Sequence, residues 1–253
     1  MPFRNRLILL FLTILIHEYP AQELITDRPD QSESAVTVLS GSIQIETGFA
    51  FEKLTESNIK FENYTIAGTL LRYGIVDDVE LRLGTAYLIT NAQSSVDGFG
   101  DFLLGAKINF LKENKQVVDF GILAHALLPF GNAAFNPTGV EPEIIAALSK
   151  SLNDDLSASL NLGGSWSSII DEAFLIYSAA LGQAINSRTS AFIEVYGNVF
   201  SSFSPIHNFN GGIIYLLSED LQLDLSGGKG IAGVDSYWFI SSGLSIRFNN
   251  IFN

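Results

Sequence analysis

Val79-Glu80-Leu81-Arg82-Leu83-Gly84-Thr85-Ala86-Tyr87-Leu88-Ile89 is the stretch on which the fold turns. Val79, Leu81, Leu83, Thr85, Tyr87 and Ile89 alternate with Glu80, Arg82, Gly84, Ala86 and Leu88. A period of two sends successive side chains to opposite faces of an extended strand. One face here is apolar; the other is small, polar or charged. The same texture recurs along the chain. In residues 42–52, Ile43, Ile45, Thr47, Phe49 and Phe51 oppose Gln44, Glu46, Gly48, Ala50 and Glu52. Residues 101–110, 118–128, 156–163 and 238–248 repeat it, and six further stretches (63–75, 142–151, 173–185, 189–200, 208–217 and 220–228) alternate less cleanly.

Twelve strands of about ten residues are long for a soluble sandwich, whose strands run to roughly five or six. They match a tilted membrane strand of about 9–11 residues. The connections point the same way. Short ones fall at 76–78, 111–116, 152–155, 186–188 and 218–220; long ones fall at 53–62, 90–99, 129–141, 166–172, 201–207 and 229–236. Short periplasmic turns, longer extracellular loops and an even strand count are the pattern of an outer-membrane barrel. The expected fold is therefore all-β: a transmembrane antiparallel up-and-down barrel of about twelve strands over residues 41–253. In the last strand Trp238 and Phe248 bracket the apolar stretch, as interfacial girdle aromatics would.

Composition agrees. Of 253 residues, 47% are hydrophobic and only 16% charged, against about 25% charged in an ordinary soluble domain. After residue 20 no run of about 18 apolar residues could form a membrane helix. With no cysteine there is no disulfide frame and no thiol nucleophile. A net charge of −13 argues against nucleic acid, which needs basic surface to meet phosphates. Arg4 and Arg6 precede the apolar run 7–16, a signal-peptide arrangement. Cleavage after Ala21 is expected, removing residues 1–21. Residues 22–40 are polar, with Pro29 among clustered polar side chains, and carry no strand pattern.

Several segments are similar to a known family. Ile25-Thr26-Asp27-Arg28-Pro29-Asp30-Gln31-Ser32-Glu33-Ser34 is followed by Gly41-Ser42-Ile43-Gln44-Ile45-Glu46-Thr47-Gly48, then by Leu71-Arg72-Tyr73-Gly74, Val79-Glu80-Leu81-Arg82 and Leu221-Gln222-Leu223-Asp224-Leu225-Ser226. The chain resembles the outer-membrane transporter family named for a MetA pathway of phenol degradation. The likeness spans nearly all of the chain beyond the signal. It implies a barrel with a transport role and names no secure substrate.

The residues offer little for catalysis. A Ser/His/acid hydrolase needs a histidine base; beyond the signal only His125 and His207 remain, and no G-x-S-x-G elbow occurs. Two histidines without spaced partners make no metal site. Gly227-Gly228-Lys229-Gly230 lacks the helix a phosphate loop requires. No enzyme, cofactor or metal is expected. Alternation instead sends Glu46, Arg72, Glu80, Arg82, Asp101, Lys107, Asp119, His125, Glu194, Asp224 and Arg247 to the inner face. With both signs present, they would either build a network that fills a narrow lumen or line a polar path that selects solutes by charge. Asp27, Arg28 and Asp30 would belong to a plug, with Arg28 reaching a lumen carboxylate such as Glu46 or Glu80, or to a periplasmic tail. The expected partners are outer-membrane lipid and a small-molecule solute. The leading function is a passive pore or transporter; the alternative is a structural or partner-binding barrel with a closed lumen.

Overall fold

The computed structural model describes residues 24–114, 116–135, 139–249 and 251. The expected signal segment lies outside them. Thirteen strands follow in order: β1 (Ile43–Glu56), β2 (Ile59–Val76), β3 (Val79–Asn91), β4 (Ser95–Phe99), β5 (Phe102–Leu111), β6 (Asp119–Leu128), β7 (Glu141–Ser151), β8 (Leu156–Ser167), β9 (Glu172–Asn186), β10 (Thr189–Val199), β11 (Ile206–Ser218), β12 (Leu221–Ala232) and β13 (Ser236–Phe248). Consecutive strands pair antiparallel, except that β4 and β5 both pair with β3, and β1 pairs with β13 from Ile43↔Phe248 to Thr55↔Ser236, so the sheet closes on itself. β4 and β5 are two halves of one stave. Both pair with β3, the first through Tyr87↔Phe99 and the second through Val79↔Ile108. The kink between them falls at Gly100-Asp101, where the Gly100 N–H still reaches the Ala86 carbonyl at 2.8 Å. The result is a closed antiparallel barrel of twelve staves, the fold expected from the alternation.

Closure is what permits this sheet to cross a bilayer, because no strand edge is left with unpaired amides in hydrocarbon. The side chains are sorted as that solvent demands. Leu162 is 60% exposed, Leu175 56% and Leu225 52%, all on the outer wall, whereas Glu46, Glu80 and Arg72 inside are 0% exposed. This inverts a soluble protein, where large apolar side chains are mostly inside. Among the described residues the one clustered apolar core is small: Ala35, Leu123, Ile145 and Ala147. The outward grease and the closed sheet together are those of a barrel in the bacterial outer membrane.

The outer connections differ in form from the expectation. Residues 53–62 were expected as a loop but form a continuous hairpin, turned by Ser57 and Asn58 at φ 50° and 66°. Two successive left-handed residues give a turn whose twist matches the strands it joins. Residues 90–99 likewise contain β4, which folds back on β3. Alternation there is blurred because both faces of a hairpin standing clear of the membrane meet water, so neither face needs to be apolar.

Candidate functional site: the filled lumen

Residues 24–42 precede β1 and run along the inner wall of the barrel. Their route can be followed by contacts. Asp27 donates its backbone N–H to Glu46 on β1 at 3.0 Å. Arg28 crosses to Asp224 on β12 at 3.0 Å and to Ser241 on β13 at 3.1 Å. Gln31 and Ser32 both donate to Glu194 on β10, at 2.9 and 2.6 Å, and the Ser32 hydroxyl lies 2.7 Å from that of Ser178 on β9. Glu33 is clamped from both sides by the Asn161 carboxamide of β8, at 2.6 and 3.0 Å. Ala35 packs among Leu123 and Ile145 of β6 and β7, and its carbonyl accepts from Asn109 of β5 at 2.8 Å. Val38 then donates to Glu80 of β3 at 2.8 Å, and Ser40 bridges to Gly74 before the chain enters β1. The segment thus makes nearly a full circuit of the wall.

Glycine makes the close approach possible. A Cβ on Gly74 would sit 2.1 Å from the Leu39 carbonyl oxygen, and one on Gly121 would sit 2.6 Å from that of Ala35. Gly48 and Gly243 form the floor beneath the Arg28 guanidinium in the same way.

Charges gather where the segment crosses β1, β2, β3 and β5. The Asp27 carboxylate meets Arg72 at 3.2 Å, Arg82 at 3.1 Å and Lys107 at 3.1 Å. Arg72 also donates to Glu46 at 2.9 Å and grips Glu80 with two nitrogens at 2.9 and 3.0 Å. Arg82 holds Glu33 with a two-pronged contact at 2.8 and 3.1 Å. Four carboxylates and three cations share the cluster, and two of the carboxylates, Asp27 and Glu33, come from the segment. Planar guanidinium forks suit such shared, paired acceptors. Burial alone would raise the Asp27 carboxyl, but Arg72, Lys107 and Arg82, with the Ser34 N–H, hold it well below the usual carboxylate range.

Of the inner-face residues expected from alternation, Glu46, Arg72, Glu80, Arg82 and Lys107 come together in this cluster, while Glu194 and Asp224 meet the segment farther round. Four others lie apart. Asp101 caps the Gly131 N–H at 3.0 Å near the outer rim. Asp119 accepts from Glu113 at 3.0 Å and Arg247 pairs with Asp220 at 2.8 Å, both at the turn end. His125 faces Glu143 at 3.2 Å. Arg28 does reach a lumen carboxylate, but it is Asp224 in place of Glu46 or Glu80, because its root at Asp27 is already held against Glu46 and the chain turns away toward β12. Asp30 lies against a cavity on the outer side. Sequence reading passed over Glu33, Asn109, Asn161, Ser178 and Gln222. The last four lie on inner faces by parity but carry no charge to mark them, and Glu33 has no strand period around it. Among the described residues no group of three or more His, Cys, Asp or Glu could hold a metal.

On the extracellular side of the segment two cavities open. One of about 530 Å³ is walled by Asp27, Glu33, Arg82, Asp101, Leu103 and Leu127. The other, of about 370 Å³, lies against β1, β10, β11 and β13.

The fold is that of solved outer-membrane barrels. The structure is similar to the COG4313 outer membrane channel from Pseudomonas putida F1, with a TM-score of 0.64 at 15% identity over 85% of this chain and 98% of that one. It also resembles the KdgM porin in complex with disordered oligogalacturonate, at TM-score 0.53 and 12% identity over 81% of this chain and 99% of that one. The NanC porin gives 0.51 at 10% identity over 81% and 100%. No curated protein matches the chain. Residues 26–248, from the root of the inner segment to the end of the last stave, match one family model throughout, and the chain belongs to the family described as "Putative MetA-pathway of phenol degradation".

Proposed function

We propose that this protein is a passive outer-membrane channel for small solutes, with residues 24–42 acting as the plug that sets its opening. The observation that carries this reading is the way the segment is held. It is fastened mainly by side-chain hydrogen bonds and ion pairs to a wall of small and polar residues, and its buried apolar side chains are Leu24, Ala35 and Val38. Polar contacts to a hydrated lumen can be exchanged for water, whereas a packed apolar core cannot be opened without large loss. Cavities of about 530 and 370 Å³ already lie on the outer side of the segment, a size that suits small molecules. The fold shared with solved channels and porins supports the same reading. The inner-face residues Glu46, Arg72, Glu80, Arg82, Lys107, Glu194 and Asp224 then serve as the seat of the plug and, once it shifts, as the charged lining of the path.

The test is reconstitution in a planar bilayer. The whole chain should pass small ions with low conductance, and Arg28→Ala should raise it, because Arg28 ties the segment to Asp224 and Ser241. No conductance in either form would favour the second reading, a structural barrel with a sealed lumen. The dense ion-pair cluster beneath the segment is the feature that favours that alternative.

A further inference from the structure

The smaller outer cavity differs in character from the rest of the lumen. Its walls carry two carboxylates, Asp30 of the inner segment and Glu52 of β1, and three aromatic rings, Tyr196, Tyr237 and Phe239. The cation that reaches it, Arg28, is already engaged by Asp224 and Ser241. Glu52 is aimed by the Tyr237 hydroxyl, which donates to it at 3.3 Å. Tyr237 and Phe239 stand side by side with ring centroids 6.1 Å apart. Asn208 also lines the chamber; it is 8% exposed, and its buried side-chain oxygen has no hydrogen-bond partner among the described residues. A buried acceptor left unpaired is costly unless something donates to it.

Burial and the neighbouring Glu194 push the Asp30 carboxyl up, a cost that a cation seated against it would relieve, so acceptors, carboxyl groups and ring faces together define a ligand. It must donate hydrogen bonds, carry positive charge and present apolar surface. We propose that this chamber binds a small organic cation, an alkyl- or arylammonium, with the ammonium between Asp30 and Glu52 and the hydrocarbon against Tyr196, Tyr237 and Phe239. Ring faces attract cations through their quadrupole, most strongly where water is excluded. A volume of about 370 Å³ admits a single ring with a short side arm. The site goes beyond the channel reading and does not rest on it: it needs the closed plug, since Asp30 belongs to that segment, and it needs no flux.

Calorimetric titration of the whole folded protein in detergent tests this. The probes are phenethylammonium, its neutral analogue 2-phenylethanol and the anion phenylacetate. Phenethylammonium should bind about tenfold or more tighter than the alcohol, the value of one desolvated charge contact, and phenylacetate should bind weakest. Glu52→Gln and Asp30→Asn should each weaken the cation by about fivefold or more and leave the alcohol unchanged. Asp30→Asn serves as the safe variant for folding, because among the described residues no salt bridge reaches Asp30. Equal binding of the three probes, or full cation affinity in both variants, would overturn the proposal. Because the readout is binding, a protein that conducts nothing can still satisfy it, and a conducting protein can still fail it.

Discussion

At the scale of single residues, Asp27 is the point on which the inner segment turns. One carboxylate answers Arg72, Arg82 and Lys107 together, in a place where each is nearly or wholly buried. Removing one partner from a buried ion cluster costs about 3–5 kcal/mol, because the remaining charges stay desolvated. Asp27→Asn keeps the shape and deletes the charge, so it should loosen the segment. It should raise bilayer conductance and expose residues 24–42 to protease; wild-type values in both would exclude Asp27 as the anchor. Gly74→Val tests the same root by volume, since even a Cβ would fall 2.1 Å from a carbonyl oxygen of Leu39. The segment should be displaced at Leu39, visible as faster cleavage there, while the barrel still forms. These roles were only partly legible beforehand. Charge and parity pointed to Arg72, Arg82 and Lys107 as inward. Nothing in the spacing of an aperiodic segment tells which wall residue it will meet, and so the partner of Arg28 could not be read.

At the scale of strands, legibility depended on what each face touches. β3 and β13 read cleanly because lipid on one side and a polar lumen on the other enforce a strict period of two. The hairpin over residues 53–62 did not, because water on both sides relaxes that demand. The kinked stave made of β4 and β5 read as one strand preceded by a loop, since Gly98, Gly100 and Asp101 are turn-type residues in any context. The lipid face gives a sharp test. Leu162 is 60% exposed on the outer wall of β8. Leu162→Arg should destabilise folding into phospholipid vesicles by about 2–4 kcal/mol, as for a cation near the bilayer midplane. An effect below about 0.5 kcal/mol would mean that this face meets water, where surface substitutions cost that little, and would remove the membrane assignment of this stave.

At the scale of the whole molecule, barrel and segment act as host and guest within one chain. The chain has no cysteine of its own, so an engineered pair can join them without competition. Ser32 and Ser178 bring their hydroxyls within 2.7 Å, and Ser32→Cys with Ser178→Cys should form a disulfide across that contact. Oxidised, this variant should lose most of the small-ion conductance of the wild type, and reductant should restore it. Identical currents before and after reduction would mean that the segment does not move during conduction. The covalent continuity of residues 24–42 with β1 carries a further consequence. A tethered guest is present at an effective concentration on the order of millimolar, set by chain length and not by how dilute the protein is. It cannot be washed away during purification, and any external molecule that would take its place on the wall must outcompete a resident that never leaves the neighbourhood.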